Sequence, residues 1–434
     1  MEHGLNLAHS PIGWLVLIIF TISYIAIAME EKLKINKSKP ALGAGTLSFI
    51  LIGFYFLLEN LPLDPLHREI EKIILEVAEI FFFLFVAMTF VETMIDRKVF
   101  DALKYKLTSR GYSYKKLFWL TGLIAFFLSP VADNLTTALI LATVIYTIDR
   151  HSPQFLVPGA INIVVAANAG GAWSPFGDIT TLMVWTAGKG DFIDFLALFP
   201  ASFLNWVVTA FLLSLFLPTG KPPFDSSQPP VKIAPGGKAV IVIGIFTIII
   251  SVVLHILLHF PAMWGMMFGL ALLQFYFWVT RNRRPGEKID VNLNMKKVEH
   301  DTLLFFFGIL TSVGALAFVG WLKYISHLYQ EIGATWANIG VGFVSAIIDN
   351  VPVMSAILKS GLNMDHAQWM LVTFTAGVGG SLISFGSAAG VGVMGRLRGI
   401  YTFGNHLKFA WAILAGYLVG IGVWYLQFEV LGWY

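Results

Sequence analysis

The sequence predicts an all-α polytopic membrane protein made of two inverted repeats, each with five spans and one re-entrant hairpin, whose discontinuous helices meet at a midplane site. Three observations predict it. Of 434 residues, 57% are hydrophobic and 13% charged, against roughly 25% charged in soluble domains, so the chain suits a bilayer. Apolar runs long enough to cross a hydrocarbon core of about 30 Å recur along it. Two of the apolar segments are interrupted by the same polar pair, Asp133-Asn134 and Asp349-Asn350.

Spans are expected near 12–28, 42–58, 73–94, 155–186, 193–217, 238–258, 261–280, 302–322, 367–395 and 404–426. The 29 basic and 26 acidic residues nearly cancel, which gives no reason to propose nucleic acid as a partner; their placement is what informs. Lys32, Lys34, Lys37 and Lys39 lie in one connection, seven basic residues in 95–116, and Arg281, Arg283, Arg284, Lys288, Lys296 and Lys297 in another. By the positive-inside rule these face the cytoplasm, as does the connection with Arg396 and Arg398, which puts both termini on the non-cytoplasmic side. Met1 to Pro11 has no basic n-region, so the first apolar run is read as an uncleaved span. Trp14, Trp185, Trp206, Trp321 and Trp433, near span ends, are expected in an aromatic belt. The lack of cysteine excludes disulfides, thiolate metal sites and cysteine catalysis.

Two apolar segments do not read as ordinary spans. Segment 116–148 would run about 50 Å as one helix, and both its flanks are basic; a hairpin entering and leaving from the cytoplasm fits better, its first arm ended by Ser129-Pro130 and each arm too short to cross. Segment 335–358 carries Asp349, Asn350 and Pro352 at its middle. The run 155–186 is interrupted by Gly170-Gly171 and Pro175 and reads as a broken helix.

The repeat comes from two motifs in the same order. SPVADNLTT (Ser129 to Thr137) aligns with SAIIDNVPV (Ser345 to Val353), and GGAWSPFGD (Gly170 to Asp178) with GGSLISFGS (Gly379 to Ser387). One motif alone is open to chance; two at similar separation make chance a poor explanation. The first repeat is expected over 1–218, with hairpin 116–148 and broken helix 155–186. A Pro, Gly and Ser-rich linker follows at 219–237, and the second repeat at 238–434 has hairpin 335–358 and broken helix 367–395. Five spans is an odd number, so the second repeat is inserted upside down.

At a helix break, unpaired carbonyls of one arm and unpaired N–H groups of the next face the gap, which suits an ion. Asp133 and Asp349 supply anionic oxygens, Asn134 and Asn350 amide oxygens, and Ser129, Ser345, Ser384 and Ser387 hydroxyls. Asp178, Thr180 and Thr181 follow Pro175, and Asn162 and Asn168 lie on the first half of the same broken span, Asn162 as an interhelical hydrogen-bonding group. This oxygen inventory suits a hard cation, and no Lys or Arg in 117–149, 154–188 or 335–358 would neutralise an anion. A carboxylate at membrane depth costs about 2.5–3.5 kcal/mol, so it is kept where it acts. Such groups exchange a proton for Na+, and competition at one site gives antiport by alternating access. Helix N-capping is the plainer role for each Asp and does not exclude ion binding.

At these residues the chain resembles the NhaD-type Na+/H+ antiporters of the ion transporter superfamily: SPVADNLTTALI, NAGGAWSPFGDITTLMVW and SAIIDNVPV look like that family's signatures. The resemblance implies a multi-pass protein of the bacterial inner membrane, a homodimer, exporting Na+ or Li+ against protons with no cofactor. Carried over by motif, the ion- and proton-coupling residues are Ser129, Asp133, Asn134, Asn168, Asp178, Thr180, Thr181, Ser345, Asp349, Asn350, Ser384 and Ser387, with Na+ at Asp133, Asn134, Asp178, Asp349 and Asn350. Glu79 and Asp301 are secondary candidates for proton relay. The related divalent anion/sodium symporters carry Ser-Asn-Thr at the hairpin tips, where this chain has Asp133 and Asp349. The competing reading is a Na+- or proton-coupled transporter of a dicarboxylate or oxyanion. An intramembrane enzyme lacks support, since the hairpins hold no histidine and Ser129 stands in no recognised catalytic motif.

Overall fold

The computed structural model describes residues 6–223, 230–283 and 290–433, with the side chains at 31, 32 and 281–283 excepted. Residues 224–229 of the expected linker, Arg284, Lys288 and the side chains of Lys32, Arg281 and Arg283 therefore lie outside the described residues.

Among the described residues the chain is helical and has no strand. In order come α1 (Pro11–Ala28), α2 (Glu30–Leu33), α3 (Ser38–Leu58), α4 (Asp64–Asp96), α5 (Val99–Thr108), α6 (Tyr114–Ala132), α7 (Asn134–Ile148), α8 (Pro153–Ala172), α9 (Ile179–Thr186), α10 (Phe192–Ala197) and α11 (Phe199–Ser214). There follow α12 (Gly237–Leu258), α13 (Ala262–Arg283), α14 (Val291–Met295), α15 (His300–Val319), α16 (Lys323–Ile332), α17 (Ala334–Ile347), α18 (Asn350–Lys359), α19 (His366–Gly379), α20 (Ala388–Arg396), α21 (Phe403–Leu407) and α22 (Ala410–Trp424). Ten helical stretches among the described residues are long and apolar enough to cross a membrane, so the chain is a polytopic α-helical membrane protein.

The expected spans 155–186 and 367–395 are each broken, the first between α8 and α9 and the second between α19 and α20. One detail differs from expectation. Helix α6 runs through Pro130 to Ala132 and, at 19 residues, is long enough to cross, so the chain turns at Asp133 and not at Ser129-Pro130. Pro130 lacks the N–H that would bond Phe126 O, but this close to the end of α6 that loss does not stop the helix. Asp133 itself does, with φ 55° and ψ 163°, a backbone conformation that ends α6 and opens α7.

The chain forms two compact units, and each draws on both halves of the sequence. The first comprises 1–89, 245–333 and 355–363. Within it α3 and α15 approach closely: a Cβ on Gly308 would stand 2.3 Å from Leu42 N, and one on Gly45 2.7 Å from Gly308 O. Lys359 pairs with Glu76 in the same unit.

The second unit comprises 90–244, 334–354 and 364–434 and contains both Asp-Asn pairs. The hydroxyl of Tyr114, at the start of α6, donates to Asp149 Oδ2 at 2.6 Å, just past the end of α7, so these two helices fold back on each other. Contacts recur between the two motif sets. Ser129 Oγ donates to Ala167 O at 2.6 Å, and Ser345 Oγ to Ala376 O at 2.7 Å. A Cβ on Gly170 would lie 2.3 Å from Phe126 O, and one on Gly379 2.3 Å from Gly342 O. Phe126 O is the carbonyl that Pro130 leaves without its helical donor, and only a glycine packs against it so closely. Gly416 and Gly420 seat α22 on α11, where a Cβ on Gly416 would meet Thr209 Oγ1 at 2.1 Å.

The aromatic belt holds only in part. Trp14 and Trp433 are exposed, but Trp185 and Trp206 are each 1% exposed, and Trp206 Nε1 donates to Asn162 Oδ1 at 2.8 Å. An indole N–H buried with a partner is packing, not an interfacial anchor. Asn162 also donates to Phe118 O at 2.8 Å, the interhelical role expected of it.

Candidate functional site

The turn between α6 and α7 is held by Asp133. Its Oδ1 accepts from Thr136 N at 2.8 Å and its Oδ2 from the Thr136 hydroxyl at 2.7 Å, so the plainer role of helix N-cap is real. A non-glycine residue at φ 55° and ψ 163° costs about 1–3 kcal/mol, and the two bonds to Thr136 offset it. Asp349 sits at the matching turn ahead of α18, where its Oδ1 accepts from Val351 N at 3.5 Å. Both carboxylates are half-buried.

Asn134 and Asn350, the first residues of α7 and α18, point at one place. Asn134 Nδ2 donates to Asp178 Oδ2 at 2.9 Å, and Asn350 Nδ2 to the same oxygen at 3.0 Å. Asp178, 5% exposed, is the N-cap of α9; its Oδ1 accepts from Thr180 N at 3.2 Å. The Asp-Asn pairs of both motifs therefore converge, through their amides, on the carboxylate of the first broken helix. No basic side chain forms an ion pair with Asp178 among the described residues.

Asn168 extends this network. Its Oδ1 accepts from Asn134 Nδ2 at 3.2 Å, and its Nδ2 donates to Ser381 Oγ at 2.8 Å and Ser387 Oγ at 3.0 Å. Ser387 is the N-cap of α20, the place Asp178 holds at α9, so the two broken helices differ in charge at matching positions. Among the described residues the buried Ser384 hydroxyl has no hydrogen-bond partner, and the Thr180 hydroxyl is buried two positions along from Asp178; both are oxygens of the kind a cation site uses.

The remaining expected residues are placed differently. Ser129 and Ser345 give their hydroxyl protons to backbone carbonyls of α8 and α19. Thr181 spends its hydroxyl on Ser174 O at 2.8 Å and Asp178 O at 2.7 Å, closing the break. Glu79 and Asp301 belong to the other compact unit, where Asp301 Oδ2 accepts from Asn36 Nδ2 at 2.7 Å. Among the described residues no three Asp, Glu, His or Cys side chains form one group, and the partners of the Asp178 side chain are amides and a backbone N–H. Ser381 and Thr136 are additions to the expected set. Ser381 had a signal in its place beside Gly379-Gly380, in the second copy of the broken-helix motif.

A family model described as citrate transporter matches residues 15–379. The chain is 44% identical to the Na+/H+ antiporter NhaD of Vibrio cholerae, over 96% of this chain and 92% of that one. The chain belongs to the NhaD family of Na+/H+ antiporters. It is also 40% identical to the NhaD of Halomonas elongata, over 96% and 89% of the two chains. To sodium/proton antiporter 1 of Arabidopsis thaliana it is 32% identical, over 95% of this chain and 73% of that one. NhaD membership agrees with the donor set: a buried carboxylate ringed by amides and hydroxyls suits a cation, whereas a tricarboxylate such as citrate needs positive partners.

Proposed function

We propose that the protein exchanges Na+ for protons across the bacterial inner membrane by alternating access, with the two ions competing at Asp178. The observation that carries this reading is the single Asp178 oxygen that accepts from both Asn134 and Asn350. An amide is ambidentate, and this gives the site three states. With the carboxylate bare, the two N–H groups stabilise its charge. With Na+ bound, a half-turn of each amide presents oxygen to the ion beside the carboxylate, and the buried Thr180 and Ser384 hydroxyls complete the shell. With a proton bound, the carboxyl O–H donates to an amide oxygen and no cation is held. Li+, a smaller hard cation, is accepted by the same oxygens.

Asp133 and Asp349 supply negative charge at the α6–α7 turn and ahead of α18. The repeated contacts of Ser129 and Ser345, and of Gly170 and Gly379, support reading 1–218 and 238–434 as inverted repeats about the linker 219–237. The Tyr114–Asp149 bond brings the two ends of 116–148 together and supports a hairpin there, and 335–358 is read as its counterpart. Both termini then lie outside the cytoplasm, and the protein works as a homodimer.

In everted membrane vesicles, added Na+ is expected to dissipate a preset pH gradient. Movement of a dicarboxylate or arsenite, with Na+ never dissipating the gradient, would overturn the proposal. Asp133→Asn keeps an oxygen for Thr136 N, so it is expected to leave insertion intact while abolishing exchange, as is Asp349→Asn; full exchange in both variants would remove their role.

A further inference from the structure

His406, on α21, is 0% exposed and has no part in the ion site described above. Its Nε2 lies 3.0 Å from Ser381 O and 3.3 Å from Leu382 O, and its Nδ1 2.7 Å from the Tyr401 hydroxyl. Carbonyls only accept, so Nε2 carries the hydrogen, and Nδ1 accepts from Tyr401. Ser381 and Leu382 belong to the non-helical stretch between α19 and α20.

The two breaks solve the same problem differently. In the first, Thr181 reaches back to Ser174 O from within α9. The matching residue of the second motif is Gly390, which has no hydroxyl, and a Cβ there would stand 2.1 Å from Ser384 O. Glycine therefore cannot make the Thr181 tie in the second break, and His406, from α21, ties the nearby carbonyls of Ser381 and Leu382 instead.

The tie leads to the site. Ser381 Oγ accepts from Asn168 Nδ2, Asn168 Oδ1 accepts from Asn134 Nδ2, and Asn134 Nδ2 also donates to Asp178. We propose that His406 is a positioning residue for the Na+ site: its Nε2–H fixes the Ser381–Leu382 backbone, which seats Asn168 and thereby orients the Asn134 amide at Asp178. The proposal rests on the reading of Asp178 as the exchange site.

His406→Gln carries an amide N–H at about the reach of Nε2, whereas His406→Asn reaches only to the level of Nδ1. In vesicles, His406→Asn is expected to raise the apparent KM for Na+ about 10-fold, with maximal rate held within about 2-fold, as loss of an outer partner of an ion ligand does. His406→Gln is expected to restore the KM. A wild-type KM in His406→Asn, or equal impairment in both variants, overturns the proposal. Should His406→Asn fail to insert, Ser381→Ala removes the link to Asn168 and keeps the backbone; an unchanged KM there overturns it as well. Wild type and Asp178→Asn run alongside: a wild type without exchange defeats the reading of the site and this proposal with it. An exchanging wild type with unaffected His406 variants defeats this proposal alone.

Discussion

Asp178→Asn is expected to abolish Na+-driven proton movement in everted vesicles while the protein still inserts and folds. The substitution keeps the shape of the side chain and one oxygen for Thr180 N, but removes the only charge on which Asn134 and Asn350 converge. Losing the charged partner of a buried ion costs about 2–5 kcal/mol, at least about 30-fold in affinity for Na+. It also removes the carboxylate proposed to take the exchanged proton. Folding is spared because a neutral amide carries a smaller desolvation cost than a buried carboxylate, which offsets the weaker bonds to its neighbours. Exchange at the wild-type rate, measured as dissipation of a preset pH gradient, would show that the ions travel elsewhere.

The second large effect is on the fold. Gly170→Val and Gly379→Val are each expected to lower the thermal midpoint and the yield of detergent-purified protein sharply. Both added side chains begin 2.3 Å from a backbone carbonyl oxygen, Phe126 O or Gly342 O, and backbone in a helix does not give way as a flexible side chain does. Overpacking of this kind costs at least about 1–3 kcal/mol. Gly340→Ala is the control: nothing lies within 4 Å of its Cβ position, so alanine there is expected to be neutral or to gain up to about 1 kcal/mol of helix propensity. Equal midpoints for all three variants would contradict the close approach at the breaks.

Composition and run length were enough to read the polytopic helical fold, because a bilayer demands long apolar helices and leaves few alternatives. The two broken helices were legible too, but the glycine pair marks only one break: α8 runs through Gly170-Gly171 to Ala172 and the span is interrupted around Pro175, whereas α19 ends at Gly379. Pro130 misled because proline forbids one hydrogen bond without saying whether its helix has already nearly ended; α6 runs two residues further, and the turn falls on Asp133. Trp185 lies near a span end and Trp206 in the middle of one, Phe192–Ser214, and the chain alone does not tell which face of a helix meets protein and which meets lipid. The interleaving of the two halves into each compact unit is a tertiary fact of the same kind.

At the site, residue types were legible and their grouping was not. The Asp-Asn pairs stood out as polar residues at an energetic cost, yet the side chain on which their amides meet is Asp178, more than forty positions from the first pair. Ser381 and His406 join the network through backbone carbonyls and a hydroxyl, contacts that leave no pattern in a single sequence.

The most direct test of exchange at Asp178 is proton release on Na+ addition to purified, detergent-solubilised protein, followed with a pH indicator across a range of pH. Wild-type protein is expected to release protons when Na+ is added, with more Na+ needed at lower pH, because the two ions compete for one carboxylate. Asp178→Asn is expected to release none. Release of the same size from Asp178→Asn, or none from wild type at any pH, would contradict competition at this carboxylate.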